Sequence, residues 1–261
     1  MHYLRLFKVF FRTSVQTDMA YRIDFFTRVI TSLLSLMTTV GGLAVAFRYT
    51  TKIGDWSFPQ VMALLAIYYL MDGVIEMFIA PNMRSIMDQV RNGSLDFVLL
   101  KPVSSQFLAT FRQINIWRIV SLMVGTGLLL YTLSRLSLHV GLPQAFAFVG
   151  TLMAGAVVVY SFWLCLVTLT FWYTRISNIE QLVWQAFEAG RYPIEIYPGW
   201  LRGVLTYVIP IAFIITVPAQ ALAGKIGLNF LIVAFAVSLI FGLLSSAFWR
   251  FGLKHYTGAS S

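Results

Sequence analysis

Asp72 and Glu76 stand four residues apart in an otherwise apolar run and are the acidic pair of this chain best suited by type to chemistry. A spacing of four puts both on one helix face. An ionisable group at membrane depth is costly and commonly marks an ion or proton pathway, so a cation or proton site is the sharp expectation. The plainer one sets Glu76, five residues before Pro81, at the end of its span, against a partner helix or the headgroups. A second group, Gln181, Gln185 and Glu188, falls on one helical stripe opposite Ile179, Leu182, Val183, Ala186 and Phe187. Such a stretch is either a surface helix or a span with a wet face, and its polar stripe is a candidate for a substrate pathway or a subunit interface. The third group lies in the charged island 81–103, PNMRSIMDQVRNGSLDFVLLKPV. There Met83, Ile86, Met87 and Val90 recur at i, i+3, i+4, i+7, while Arg84, Asp88 and Arg91 fall elsewhere. This predicts a short amphipathic helix ended by Asn92-Gly93, with Pro102 limiting any helix that restarts at Asp96. Too short to span a bilayer and flanked by long apolar runs, it suits contact with a soluble partner, and Met83 and Met87 have the flexible side chains that fit irregular grooves.

Other chemistry is missing from the chain. No G-x-x-x-x-G-K-[ST] loop, HExxH pair or G-x-S-x-G elbow occurs. His2, His139 and His255 are scattered over the termini and one loop, without ligand spacing. The single cysteine, Cys165, excludes an internal disulfide and a cysteine metal cluster. No metal, cofactor or catalytic constellation is expected of this chain itself.

The elements that must position these residues follow from composition. Charged residues make up 11% of the 261 and apolar ones 59%, with mean hydropathy +0.78. Soluble domains carry roughly 25% charge, so this is an integral membrane protein. Its apolar runs are continuous, not alternating segments of about ten residues, so the fold class is all-α and not a transmembrane barrel. Spans are expected near 29–47, 59–80, 119–133, 144–173 and 226–248, with Pro59 in the first turn of the second. The run 144–173 exceeds one crossing, and Gly150, Ala154 and Gly155 offer small residues for close helix contact. Before the first span, residues 1–24 are expected to hold an interfacial amphipathic helix, its stripe of Arg5, Lys8, Arg12 and Gln16 set against Leu4, Leu6, Phe7, Phe10 and Phe11. No cleavable leader is expected there. The net charge of +9 comes from short basic clusters beside apolar runs, which sets topology and does not suggest nucleic acid. Placing Arg5, Lys8, Arg12, Arg22, Arg84, Arg91, Lys101, Arg112, Arg175, Arg250 and Lys254 inside leaves Lys52, Arg135 and Lys225 outside. Both termini are then cytoplasmic and the number of crossings is even.

On these residues the chain resembles a permease subunit of a type-2 ATP-binding-cassette exporter, in the branch of small six-span permeases that work with a separate ATPase. RNGSLDFVLLKPV at 91–103 is similar to that branch's G-x-L-D-x-x-L-x-[KR]-P passage after the second span, and the helix before the first span is similar to its connecting helix. The stretch 171–222, from FWYTRISNIEQ to VPAQAL, resembles its fifth span followed by Tyr-Pro and a proline-containing apolar passage. The resemblance implies one permease domain over 1–261, a cell (plasma) membrane location, and a second permease, identical or related, as partner. It also implies a partner ATPase that binds ATP and Mg and meets the chain through Met83, Arg84, Ile86, Met87, Asp88, Arg91 and Asp96. Two topologies remain. Hydropathy alone makes 204–223 the fifth span; the resemblance makes it 179–197, with 198–225 re-entrant from the outer side, which suits Pro210 and Pro218. The rival function is an ion- or proton-coupled secondary transporter or channel built on Asp72 and Glu76. A non-transporting membrane scaffold is a further one.

Overall fold

The computed structural model describes residues 2–20, 22–136, 141–173, 177–224 and 226–256. Its centre is helix α3 (Phe58–Val74), in which every residue from 61 to 69 is buried, so it has no lipid-facing side over that stretch. Pro59 sits in its first turn and Gln60 Oε1 accepts the Ser57 backbone N–H at 2.9 Å, which fixes the start of the helix. Ahead of it come α1 (His2–Ala20), α2 (Arg22–Tyr49) and a two-residue antiparallel ribbon of β1 (Lys52–Ile53) and β2 (Trp56–Ser57), turned by Gly54 at φ 60°.

The expected short helix of the island is not separate from the second span. One π-helical turn, Ile75–Ile79, joins α3 to α4 (Ala80–Arg91) in a helix of 34 residues, Phe58–Arg91. At about 1.5 Å per residue such a rod outruns a bilayer core. Pro81 does not break it, for two reasons. It lies in the first turn of α4, and the Met77 carbonyl four residues earlier accepts the Asn115 N–H at 3.0 Å in place of the donor that proline lacks. The helix ends where its sequence says, with Asn92 as cap and Gly93 at φ 68°.

Next come α5 (Asp96–Leu99), α6 (Ser105–Phe111) and α7 (Ile119–Leu136). α7 runs antiparallel to α3 at very short range. A Cβ at Gly125 would lie 2.8 Å from the Leu70 backbone nitrogen, and one at Gly73 would lie 2.6 Å from Leu122 Cδ2. α8 (Leu142–Leu169) runs parallel to α3, since Gly155 faces Met71 and Val159 lies beside Ile75. α12 (Leu228–His255) packs on α8, where Gly150 admits the ring of Phe235.

The segment between α8 and α12 is where the two topologies differ. α9 (Ser177–Glu188) and two single 3₁₀ turns, Ala189–Arg191 and Ile194–Ile196, follow the length of the bundle. Trp184 stacks on Trp163 of α8, Phe187 stacks on Tyr68 of α3, and Glu195 Oε2 accepts the Trp56 indole N–H at 3.1 Å. The chain has by then reached the β1–β2 end. α10 (Gly199–Gly203) and α11 (Val217–Leu222), each extended by a π turn, form two arms, Gly199–Val208 and Ala212–Leu222, that meet at 75°. The bend at Ile209, Pro210 and Ile211 lies in the interior against Ile75, Phe162 and Trp163, yet Gly224 emerges beside Gln144, at the start of α8. Because α3 and α8 are parallel, this is the end at which the segment went in. No straight helix runs through 204–223. Pro210 has no N–H to carry a helix through, and the chain turns there.

Among the described residues five helices are long and apolar enough to cross a membrane: Phe25–Tyr49, Phe58–Arg91, Ile116–Arg135, Leu142–Leu169 and Leu228–His255. The protein is an all-α, multi-span membrane protein. His139, Arg175 and Lys225 lie outside the described residues, as does the side chain of Glu180.

Candidate functional site

Asp72 and Glu76 share one face of the rod, as their spacing requires, but the face meets arginines. Glu76 is 2% exposed; its Oε1 accepts from Arg84 Nη2 at 2.9 Å and its Oε2 from Arg118 Nη2 at 3.1 Å. Asp72 Oδ2 lies 3.9 Å from Arg118 Nη1. Two acids thus meet two guanidiniums, so the cluster has no net negative charge to hold a metal cation. This is the geometry of the plainer expectation for Glu76, contact with a neighbouring helix near the end of its span, and it weighs against a metal-cation site at the pair. A buried carboxylate is tolerated because fixed counter-charges and hydrogen bonds replace its hydration. Arg118 is the residue the motif reading passed over. Its signal was available, since two acids in one span call for cations on the neighbouring helix, and Arg118 opens the next span.

The arrangement joins three elements. Glu76 belongs to the π turn, Arg84 to α4 and Arg118 to the 3₁₀ turn Ile116–Arg118 that leads into α7, so the base of α4 is bonded both to the rod and to the entry of its antiparallel neighbour. The strap 113–118 tightens this. Asn82 Nδ2 donates to the Gln113 carbonyl at 2.7 Å, and Asn82 Oδ1 accepts the Gln113 N–H at 2.8 Å. On its other side the strap holds α1: the Ile114 N–H donates to Ser14 Oγ at 3.2 Å and the Ile116 N–H to Asp18 Oδ2 at 2.7 Å.

One turn above Asp72 a second cluster begins. Tyr68 donates to Glu188 Oε1 at 3.3 Å, Arg191 donates to the same oxygen at 2.8 Å, and the Arg191 guanidinium lies 5.0 Å over the Tyr68 ring. Arg191 and Tyr69 both donate to Ser35 Oγ of α2. Rings of Trp163, Trp184, Phe187 and Tyr68 stack in succession below that guanidinium, which fastens α9 to α3 and α8. Glu188 is thus hydrogen-bonded within the chain though its side chain is 41% exposed, and Gln181 and Gln185 of the same predicted stripe are exposed.

The far end of the rod divides the predicted ATPase contacts in two. Met83 is fully buried and Ile86 is 2% exposed, both packed in the chain's own core, so they hold the helix and are out of a partner's reach here. The periodicity at 83–90 marked the inward face. Arg84 serves Glu76. Met87 is half-buried, and Asp88 and Arg91 are exposed, paired at 3.0 Å. Asp96 of α5 lies near Tyr256, whose phenol is pushed up by burial and by that carboxylate. Two residues not singled out by pattern stand out by exposure, Phe97 at 72% and Leu100 at 82%. On a segment as short as α5 no periodicity separates an outward apolar residue from an inward one.

Against known proteins, a family model described as "ABC-2 family transporter protein" matches residues 33–260. No curated protein and no solved structure matches the chain.

Proposed function

Since the chain belongs to the ABC-2 transporter family, as a transmembrane transport subunit and not a catalytic one, we propose that it forms half of the substrate pathway of an ATP-driven exporter. A separate ATPase, which binds ATP and Mg, hydrolyses the nucleotide, and a second permease, identical or related, completes the pathway. We further place the chain in the plasma membrane with both termini and the 81–103 segment in the cytoplasm, six crossings with 177–196 as the fifth, and 198–225 re-entrant from the outer side. The observation that carries this reading is the 34-residue rod Phe58–Arg91. It runs unbroken from the membrane core to a tip where Asp88, Arg91, Phe97 and Leu100 are exposed. A push on that tip by an ATPase reaches α3 directly, and reaches α7 through Glu76 and Arg118. Two packings of these helices would give the alternating states that transport needs.

In this scheme Gln181 and Gln185 face the pathway or the second permease. Asp72 and Glu76 are structural, and the paired guanidiniums weigh against a secondary transporter that uses them. The test is purification of the chain from its native membrane in mild detergent, with an assay of ATP hydrolysis. An ATPase is expected to co-purify and to be lost when Asp88, Arg91, Phe97 and Leu100 are changed together to Ala. Recovery of the chain alone, with its transport surviving ATP depletion, would overturn the proposal.

A further inference from the structure

Helix α1 has two differently used faces. One carries Tyr3, Phe7, Ser14 and Asp18 and is docked: Tyr3 stacks edge-on with Phe107 at 4.8 Å, Phe7 with Phe111 at 6.0 Å, and Ser14 and Asp18 hold the strap 113–118. At 100° per residue the opposite face carries Arg5, Lys8, Arg12 and Gln16, all exposed. Among the described residues no acid pairs with any of the three basic side chains. Beside this stripe Leu4 is 70% exposed and Phe11 46% exposed.

We propose that the outer face of α1 is a binding surface for anionic phospholipid, with headgroup phosphates on Arg5, Lys8 and Arg12 and acyl chains against Leu4 and Phe11. The charge is complementary, and a basic stripe flanked by apolar residues is what a helix lying in a headgroup layer requires. Long basic side chains keep their stems over the apolar boundary while their charged ends reach the phosphates. A soluble partner accounts for the charge but not for Leu4 and Phe11, placed next to it on a helix that leads into the first span. The docked face gives the site a further consequence. Through Ser14 and Asp18 it is one hydrogen bond from the strap, and the strap is bonded to Asn82 and Met77 at the base of α4. Headgroup contact is thereby tied to the position of the rod. The lipid site itself does not depend on an ATPase being bound.

The experiment uses the full chain in lipid–detergent micelles, with Cys165→Ala and Gln16→Cys carrying a fluorophore. Brominated phosphatidylglycerol is expected to quench that label at a lower mole fraction than brominated phosphatidylcholine. Each basic residue contributes about fivefold in local affinity, so the three together give on the order of a hundredfold preference, which shrinks as salt is raised. Arg5→Gln, Lys8→Gln and Arg12→Gln combined should abolish the preference, while Arg250→Gln with Lys254→Gln should leave it. Because the three side chains face away from the docked side, an unchanged helical circular dichroism spectrum is expected of the variant. Equal quenching by the two lipids would overturn the proposal. So would a preference that persists in the triple variant, or a label shielded from both lipids but buried on addition of the co-purifying ATPase, which would give the face to protein.

Discussion

At the scale of single residues the decisive contrast is between two ion pairs on the same rod. Glu76 is buried and holds Arg84 and Arg118. Removing Glu76 leaves two part-exposed guanidiniums without their acid, which costs less than the ~3–5 kcal/mol of an unpaired buried charge but more than the loss of a surface pair. Glu76→Gln is therefore expected to lower the unfolding temperature in detergent, and Asp72→Asn less, because its Arg118 contact is the longer one at 3.9 Å. Arg91 and Asp88 are both exposed, and an exposed pair contributes about 0–1 kcal/mol. Arg91→Ala should leave thermal stability unchanged while weakening ATPase association. A scan that finds Arg91→Ala as destabilising as Glu76→Gln would contradict this division between a structural and a contact charge.

At the scale of elements, close helix approach makes the next prediction. Gly125 faces the backbone of α3, where neither the Leu70 nitrogen nor the Ala66 oxygen can move aside, whereas Gly127 of the same helix has open space around it. Gly125→Ala should cost about 1–3 kcal/mol by pushing α7 off α3, and Gly127→Ala should be neutral, as thermal melts of the two variants would show. Hydropathy makes α7 and α3 legible as spans but does not say which glycine is at the contact, because that depends on the rotation of both helices. The same limit explains the other differences. Period 3.6 located α4 and its end correctly, since Met83, Ile86 and Val90 are a buried stripe. It did not reveal that α4 continues α3, because the hydrogen bond that replaces the one lost at Pro81 comes from Asn115, more than thirty residues away. Likewise Asp72 and Glu76 were conspicuous as acids, and their neutralisation depends on Arg118 of another helix. Residues 204–223 read as a span by apolar content, while their prolines pointed to broken backbone, and the 75° bend follows the prolines. The proposed sidedness of this segment has its own measurement. In a Cys165→Ala background, Arg202→Cys should react with an impermeant thiol reagent from outside the cell; labelling from the cytoplasm alone would reverse the topology.

At the scale of the whole molecule the two polar clusters lie along α3 one turn apart, so the tip of the rod and α9 stand at the two ends of one row of polar side chains. Arg84 and Arg118 hold Glu76; Asp72 follows; one turn on, Tyr68 meets Glu188 and Arg191, which reach Ser35 of α2. Fixed ionic contacts of this kind move as a body or exchange partners as a unit, in contrast to aliphatic packing, which yields locally. Motion imposed on α4 should then appear at the exposed face of α9. With Gln185→Cys as the sole cysteine in the complex with its ATPase, the labelling rate should differ between the nucleotide-free state and a state trapped with a non-hydrolysable ATP analogue. Adding Glu76→Gln should shrink that difference while the ATPase still co-purifies, because Asp88, Arg91, Phe97 and Leu100 are untouched. If the nucleotide-dependent difference survives at full size in the Glu76→Gln complex, the motion passes along the arms Gly199–Val208 and Ala212–Leu222 or α8 instead, and the polar row along α3 serves stability alone.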